Sequence, residues 1–135
     1  MTNMPRKQKI QVVTIAENQL LLLQFAKFHK GGFQNITGSV EKDESFQEAA
    51  ERELLEETGL IERVQELDLI FHFNDRWGNE VDEKVFVCAL NKILPIKISE
   101  EHQGYKWVPA DLVTERDFVF PSNYEAFKKA LESIK

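Results

Sequence analysis

The sequence is poor in cysteine, histidine, glycine and proline: its 135 residues include one, three, six and four of them, respectively. The single cysteine, Cys88, excludes an internal disulfide and is expected in the core, since it lies in an apolar run. The lack of Cys and His clusters argues against a zinc site. Because no apolar run has membrane-span length and no signal-peptide core follows the N-terminal MTNMPRKQK, we expect a cytoplasmic protein without membrane contact.

Basic residues are fewer than acidic ones. The chain has 17 basic and 23 acidic residues, a formal net charge of −6. An acidic surface argues against a long nucleic acid as partner, whereas a bound metal ion would still allow a small polyphosphate. The chain shows no internal repeat, low-complexity tract or linker. Its length therefore predicts a single domain over residues 1–135.

The most informative stretch is residues 38–60, which reads GSVEKDESFQEAAERELLEETGL. An apolar stripe at helical spacing is formed by Phe46, Ala49, Ala50 and Leu54. This periodicity predicts an amphipathic helix that packs on the rest of the fold. Ser45 and Glu48 have the spacing of a capping box, and Gly59 would end the helix in the left-handed conformation.

Three glutamates, Glu53, Glu56 and Glu57, lie on or beside this apolar stripe. Their carboxylates would crowd and repel one another unless a cation holds them, and a hard divalent ion would do so. Arg52 has the spacing to reach Glu48 and Glu56 and to orient the carboxylates. We assign the other polar side chains of this stretch to solvent or to support of the acids: Glu44, Gln47, Glu48 and Glu51.

The same stretch fills every fixed position of the pattern G-x5-E-x7-R-E-U-x-E-E-x-G-U, in which U is a bulky aliphatic residue. The positions are Gly38, Glu44, Arg52, Glu53, Leu54, Glu56, Glu57, Gly59 and Leu60. The chain therefore resembles the Nudix hydrolase family. The resemblance implies an α/β fold, an α/β/α sandwich with a central mixed β-sheet. It also implies Mg²⁺ or Mn²⁺ held by Glu53, Glu56, Glu57 and the carbonyl of Gly38, with Arg52 and Glu44 orienting the ligands.

In that family, water attacks a phosphoanhydride of a nucleoside diphosphate joined to a further group, so the implied partner is a small nucleotide-like molecule. Residues 35–41 and 101–107 resemble the branch that cleaves dihydroneopterin triphosphate or (deoxy)nucleoside triphosphates, which implies a monophosphate and pyrophosphate as products. Residues 101–107 also resemble dinucleoside polyphosphate hydrolases. That activity, a nucleotide-sugar hydrolase and a non-catalytic binding module are the alternatives, and both a monomer and a homodimer fit the pattern.

The general base is left open between Glu53, inside the motif, and Glu100 or Glu101, two adjacent acids in a predicted loop. Exposed charges without a role are the alternative for the loop acids. For ring recognition the candidates are Phe33, Gln34 and Trp77, because aromatic faces stack on heterocycles and an amide reads their edge. Each of the three has an ordinary core or surface position as its alternative.

The remaining expectations concern secondary structure and single residues. The patterns predict a hairpin of residues 10–15 and 20–25, a strand at 33–37, a strand pair at 64–73 and 83–90, and short strands at 96–99 and 105–108. They also predict a brief helix at 109–113 and a final helix that begins with a capping box of Ser122 and Glu125. Tyr105 and Trp107 are expected in the core. His72 either points outward or is a hydrogen-bonded core residue. His29, with Lys27 and Lys30, lies in a glycine-containing loop and either approaches phosphates or is solvated.

Overall fold

A computed structural model describes residues 6–26 and 31–135. The strands are β1 (Lys7–Ala16), β2 (Gln19–Phe25), β3 (Phe33–Gln34), β4 (Ile36–Ser39), β5 (Gln65–Asn74), β6 (Glu80–Leu90) and β7 (His102–Pro109). The helices are α1 (Phe46–Thr58) and α2 (Pro121–Ser133), with short 3₁₀ helices at Ala110–Leu112 and Glu115–Asp117. None of the described helices is long and apolar enough to cross a membrane.

The strands form one mixed sheet around β1. β1 pairs in parallel with β6 along its whole length, from Lys7 opposite Val81 to Ala16 opposite Leu90. The end of β1 turns into β2, whereas its first half pairs with β4 in antiparallel orientation. β5 pairs with β6, and β2 pairs with β3 and β7. The predicted hairpin is confirmed, and its two turn residues, Glu17 and Asn18, have positive φ angles, which suit a two-residue hairpin turn.

Side chains alternate along β1 and divide the core into two layers. Val13 and Ile15 belong to the apolar cluster that includes residues of α2, whereas Ile10 and Val12 belong to the cluster that includes residues of α1. The sheet therefore lies between the two helices, and the predicted α/β/α sandwich with a central mixed sheet is confirmed. The run Leu20–Leu23 is buried throughout, as expected of a strand covered on both faces.

The predicted strand at residues 96–99 is wrong. The segment lies outside the sheet, although Ile96 and Ile98 pack against the core on the α1 side. The backbone N–H of Lys97 donates to the carbonyl of Thr58 at 2.8 Å, at the end of α1. The alternation of apolar residues in this segment thus reflects packing beside a helix end rather than pairing with another strand.

Two further boundaries differ from the predictions. The strand predicted at residues 33–37 is interrupted at Asn35, which separates β3 from β4. The capping box predicted at Ser122 is also wrong, because α2 begins one residue earlier, with Pro121 in its first turn and without a side-chain cap. Proline suits this position because its φ angle is already helical and the first N–H groups of a helix have no intrahelical partner.

Candidate active site

The start and the end of α1 are fixed by local interactions. The hydroxyl of Ser45 accepts from the backbone N–H of Glu48 at 3.0 Å, and Oε1 of Glu48 accepts from the N–H of Ser45 at 2.9 Å. Gly59 ends the helix with φ 77°, a conformation that glycine adopts without steric cost. The predicted capping box and helix end are confirmed, so Glu53, Glu56 and Glu57 lie on the last turns of a well-defined helix.

Arg52 connects several of the predicted acids. Its guanidinium donates to both oxygens of Glu44 at 2.7 and 2.9 Å, and its Nη1 donates to Glu53 at 2.9 Å and to Glu56 at 3.2 Å. A further N–H donates to the carbonyl of Ser39 at 2.9 Å. These hydrogen bonds raise the pKa of Arg52 and lower the pKa of Glu44. Arg52 therefore holds the carboxylates of α1 against the loop that follows β4.

Two assignments on the polar side of α1 need correction. The predicted contact of Arg52 with Glu48 is absent among the hydrogen bonds and ion pairs of the described residues, because Glu48 caps the helix instead. Glu51 is not simply solvated, since its Oε2 accepts from the side chain of Gln47 at 2.8 Å and from the N–H of Val64 at 3.1 Å. Gln47 and Glu51 therefore help to hold the segment that leads into β5.

Gly38 and Glu53 are in close contact across two elements. Gly38 lies in β4 opposite Ile10, and a Cβ atom at this position would collide with the carboxyl end of Glu53. The Glu53 side chain is 12% exposed. Its burial, opposed by Arg52, raises the pKa of Glu53 to about 7, and the charges of Glu56 and Glu57 act in the same direction. Glu53, whose pKa is strongly raised, thus packs directly against the backbone of Gly38.

Glu57 is almost fully buried and has two polar partners from other elements. Its Oε2 lies 3.0 Å from the hydroxyl of Ser99 and 2.8 Å from Nδ1 of His102. Burial raises the pKa of Glu57, but the hydrogen bonds from His102 and Ser99 outweigh it, so the pKa lies below its ordinary value. Nε2 of His102 lies 3.2 Å from the amide nitrogen of Gln34. The ring therefore carries its proton on Nδ1, towards Glu57, and accepts from Gln34.

His102 is one of the site residues that the sequence did not predict. It directly follows Glu100 and Glu101 in the sequence, and nothing in its own position indicates a buried partner. Its side chain is 4% exposed, and its contact with Glu57 joins positions far apart in the sequence. A lone histidine has no periodicity to place it, so only the fold reveals this contact.

The two predicted loop acids occupy different environments. Glu101 is hydrogen-bonded to Glu57, and the negative charge of Glu57 is the largest cause of the raised pKa of Glu101. Its backbone N–H also donates to the hydroxyl of Ser99 at 3.3 Å. Glu100 is exposed at the rim of the same cleft. The structure therefore brings Glu101, rather than Glu100, to the acids of α1.

The oxygen donors at this end of α1 suit a hard divalent cation in their chemistry. The residues that would hold it are Glu53, Glu56, Glu57 and the backbone carbonyl of Gly38, with Glu101 beside them. Within residues 6–26 and 31–135, no three His, Cys, Asp or Glu side chains already enclose a metal position. Glu56 is 52% exposed and is held by Arg52, as is Glu53. A cation would thus bind carboxylates whose present partners are Arg52 and His102.

Gly38 and Glu101, which contact the acids of α1, border a long cleft whose two parts share lining residues. We call the first, about 610 Å³, the acidic part, because Gly38, Glu100, Glu101 and His102 line it. We call the second, about 880 Å³, the aromatic part; its walls include Phe71, Phe73 and Trp77. Five residues line both parts: Lys9, Phe25, Gln34, Thr37 and Phe120. A single elongated molecule can therefore reach from the acids to the aromatic walls.

The three predicted ring-binding residues are placed differently. Gln34 lines both parts of the cleft, and Trp77, 69% exposed, lines the aromatic part with the Arg76 guanidinium 4.4 Å from its ring centre. Phe33 packs against the core on the α2 side and lies below the Lys106 ammonium, outside the residues that line the cleft. Sequence reasoning missed Phe25 and Phe120, because isolated aromatic residues give no sign of which surface they face.

Other single-residue expectations have mixed outcomes. Cys88 is buried, and burial raises the pKa of its thiol to about 12, as expected of a core residue. His72 points outward and bonds to Asp82 at 2.6 Å. Trp107 packs on the core, whereas Tyr105 is 44% exposed, so its predicted core position is wrong, although it shares a face of β7 with Trp107. The loop of Lys27, His29 and Lys30 lies outside the described residues.

The fold and the acidic helix define a hydrolase of the Nudix class. Comparison with known families confirms this, because residues 5–130 match the NUDIX domain. The chain belongs to this family and is a Nudix hydrolase.

Several proteins are similar to this chain. A dihydroneopterin triphosphate diphosphatase of Haemophilus influenzae is 28% identical over 93% of this chain and 87% of its own length. The structure of the E. coli dihydroneopterin triphosphate pyrophosphohydrolase has a TM-score of 0.81 and 25% identity, covering 94% of this chain and 98% of that one. A C. elegans Ap4A hydrolase has a TM-score of 0.69 and 21% identity, covering 94% and 98% of the two chains, which shows the fold alone.

A Myxococcus xanthus octanoyltransferase is 34% identical over 82% of this chain, but the match spans only 32% of the length of that protein. The chain thus corresponds to about a third of that relative.

Proposed function

We propose that this protein is a Mg²⁺- or Mn²⁺-dependent pyrophosphohydrolase of a small triphosphate, either dihydroneopterin triphosphate or a (deoxy)nucleoside triphosphate. The products are the monophosphate and pyrophosphate. The observation that carries the proposal is the continuity of the cleft, which joins the acids near Gly38 to the aromatic walls around Trp77. Such a shape suits a substrate with a polyphosphate at one end and a flat ring at the other.

The roles of the side chains follow from their positions. A bound Mg²⁺ supplies charge neutralisation at the phosphoryl oxygens and lowers the pKa of a bound water. Glu53, Glu56 and Glu57 would hold the ion with the carbonyl of Gly38. Arg52 and Glu44 keep α1 fastened to the loop after β4, so that these oxygens stay together. His102 and Ser99 orient the carboxylate of Glu57.

Glu53 and Glu101 remain the two candidates for the general base. Both carboxyls have raised pKa values, and a base whose pKa lies near the working pH transfers protons best. Glu101 lines the acidic part of the cleft and contacts Glu57, whereas Glu53 is engaged by Arg52. We assign Glu100 to the rim, as support of the loop rather than as the base.

The first experiment separates the substrate classes. Purified protein with Mg²⁺ is offered dihydroneopterin triphosphate, each deoxynucleoside triphosphate, diadenosine tetraphosphate and a nucleotide sugar, and kcat/KM is measured for each. Pyrophosphate from a triphosphate as the best substrate supports the proposal. ATP from diadenosine tetraphosphate would favour the dinucleoside polyphosphate alternative. No product from any substrate would favour a binding module.

The second experiment tests the acids. We expect Glu53→Gln and Glu101→Gln each to lower kcat at least tenfold, because each removes a carboxylate at the metal end of the cleft. Glu125→Gln, an exposed change on α2, is the matched control and should keep full activity. Circular dichroism checks that all three variants fold. Normal turnover of the Glu101 variant would remove this residue from the mechanism.

A further inference from the structure

A chain of buried polar side chains lies beneath the aromatic part of the cleft. It consists of Glu83, Gln11, Asn35 and Asn123, which are 5%, 0%, 1% and 2% exposed. Lys9 and Gln11 lie on the α2 face of β1, and Glu83 lies beside them on β6. Glu83 and Asn123 line the aromatic part. Burying a polar group costs free energy unless the group is hydrogen-bonded. The hydrogen bonds of these four residues therefore show how each side chain is oriented.

The direction of these hydrogen bonds is fixed by one backbone carbonyl. Nδ2 of Asn35 donates to the carbonyl of Asn123 at 3.1 Å, and a carbonyl only accepts. The same amide nitrogen donates to Oε1 of Gln11 at 2.8 Å, so Nε2 of Gln11 must be the donor to Oε1 of Glu83 at 2.9 Å. Glu83 is therefore held as an acceptor, and it is one of the residues that line the aromatic part of the cleft.

Asn123 is oriented in the same way. Its Oδ1 accepts from the backbone N–H of Asn35 at 2.8 Å, which makes its Nδ2 the donor end of this amide. Asn123 also lines the aromatic part of the cleft. One wall of this part thus presents an acceptor pair from Glu83 and a donor from Asn123.

Glu83 is a carboxylate on an otherwise apolar face of β6, with Gln11 as a hydrogen-bond donor and Lys9 opposite it on β1. Glu83 occupies the face of β6 that carries Val85 and Val87 one and two pleats further along, and these valines pack in the core on the α2 side. Burial raises the pKa of Glu83, with Gln11 and Lys9 acting against it. A buried glutamate next to an open cleft is stabilised when a ligand donates hydrogen bonds to it.

We propose that Glu83 and Asn123 select a ring system that contains 2-amino-4-oxopyrimidine. Guanine and pterin share this unit and therefore present the same hydrogen-bonding edge. The ring N–H and the adjacent amino group would donate to the carboxylate of Glu83, and the ring carbonyl would accept from Nδ2 of Asn123. Adenine presents a ring acceptor beside its amino group, so it leaves the carboxylate unmatched. This inference rests on the proposed function, because the ring belongs to the triphosphate whose phosphates lie in the acidic part.

The aromatic walls supply the remaining contacts. Phe71 and Phe73 lie on the same strand, β5, and Trp77 lies in the turn that connects β5 to β6. Rings of this kind stack on any flat heterocycle and therefore add affinity without discrimination. Selection between rings falls to Glu83 and Asn123, because a site built to bond an N–H group rejects an analogue that lacks it.

The ligand-side test needs no variant. Binding of α,β-methylene analogues of dGTP, dITP and dATP is measured by calorimetry, with dITP as the matched control because it lacks only the 2-amino group of dGTP. We expect dGTP to bind at least tenfold more tightly than dITP and dATP. Equal binding of dGTP and dITP would overturn the proposal. Because no hydrolysis is required, this outcome is independent of whether the proposed activity exists.

The protein-side test uses Glu83→Gln. Its Oε1 can still accept from Gln11, but its amide nitrogen then faces the ring as a donor, so the preference of dGTP over dITP should be lost. Glu80→Gln, on the same strand and 62% exposed, is the matched control and should retain the preference. A thermal melt confirms that both variants fold. A Glu83→Gln protein that still binds dGTP tenfold more tightly would contradict the assignment.

A third experiment distinguishes a pterin substrate from a guanine substrate, since both rings present the same hydrogen-bonding edge. The kcat/KM values for dihydroneopterin triphosphate and dGTP are compared with those for dITP and dATP in the wild-type protein. Preference for either of the first two substrates supports the proposal and identifies the ring. Preference for dATP overturns it while leaving the proposed pyrophosphohydrolase intact. Selective binding of the dGTP analogue without turnover of any substrate would instead leave the recognition site standing and refute the proposed function.

Discussion

At the scale of single residues, the contact between Gly38 and Glu53 is the tightest constraint in the site. A methyl group at Gly38 has no space, because the carboxyl end of Glu53 occupies it. The motif indicated a close approach of backbone to ligand, and the structure adds that a side chain of α1 already uses this space. The glycine therefore serves the packing of β4 against α1 as well as the site.

Gly38→Ala should destabilise the protein by about 1–3 kcal/mol, the usual cost of forcing extra atoms into a packed place. In a Glu53→Ala background the same change should cost much less, because the colliding side chain is gone. Urea unfolding of the four proteins completes this double-mutant cycle. Equal costs of Gly38→Ala in both backgrounds would show that the collision is not the cause.

Glu53 should also make the metal-free protein less stable at high pH. Its folded pKa of about 7 exceeds the ordinary value of 4.5, so between these values the folded state holds more protons than the unfolded state. Stability from this group is then present at low pH and lost as the pH rises to about 7. Glu53→Gln should remove this loss, on the order of 2–3 kcal/mol between pH 5 and 8.

The measurement is urea unfolding in EDTA at pH 5 and pH 8. Glu125→Gln, an exposed change on α2, provides the control and should show the same pH dependence as the wild type. An unchanged pH dependence in the Glu53 variant would mean that this carboxyl does not titrate in the expected range.

At the scale of elements, α1 is the part of the fold that its sequence specifies best. Ser45, Glu48 and Gly59 fix its ends through bonds within a few residues, and the apolar stripe fixes its buried face. Short-range patterns of this kind are visible in a sequence because both partners lie within one turn. Glu53, Glu56 and Glu57 all lie on this helix, so its geometry fixes their relative positions. The motif could therefore predict which of these acids are adjacent.

Ser45→Ala should lower the free energy of unfolding by about 1 kcal/mol, since it removes one half of the capping box. Ser45→Thr keeps the hydroxyl and should stay within a few tenths of the wild type. At a temperature where all three proteins are folded, kcat/KM should be equal within about twofold, because the cap lies a full turn or more before the acids. The measurements are thermal melts and initial rates; a large loss of activity in the folded Ala variant would contradict this separation.

Other elements were predicted less well, for physical reasons. Residues 96–99 alternate like a strand, but the N–H of Lys97 bonds to the end of α1, and alternation does not reveal which neighbour a segment meets. The start of α2 was misplaced because Ser122 and Glu125 have cap spacing, whereas Pro121 provides the actual first turn. Local signals identify that an element exists more reliably than where it ends.

At the scale of the whole molecule, the site combines distant parts of the chain. Gly38 comes from β4, Glu57 from α1, Glu101 from the turn before β7, His102 from the first position of β7, and Glu83 from β6. The sequence predicted that Glu53, Glu56 and Glu57 lie together because one helix carries all three. It did not predict the partners of Glu57 or the polar chain below the cleft, because these depend on the pairing of β1 with β6 and on the position of α2.

Mg²⁺ should stabilise the folded protein as a whole. A ligand at tenfold its dissociation constant that binds only the native state adds about 1.4 kcal/mol, so the midpoint of thermal unfolding should rise with Mg²⁺ concentration and fall on addition of EDTA. Glu57→Gln should abolish most of this response, whereas Glu125→Gln should retain it. A midpoint indifferent to Mg²⁺ in the wild type would refute the metal site.

The parallel pairing of β1 with β6 also bears on how the protein is made. The ten residues Lys7–Ala16 find their parallel partners in Val81–Leu90, more than sixty residues later in the chain. On the ribosome, β1 must therefore wait until most of the polypeptide has emerged before its full length is paired. Nascent fragments that stop before β6 would leave an unsatisfied strand edge open to chaperones or to aggregation, and Glu57 on α1 would still lack Ser99 and His102, its partners from later in the chain.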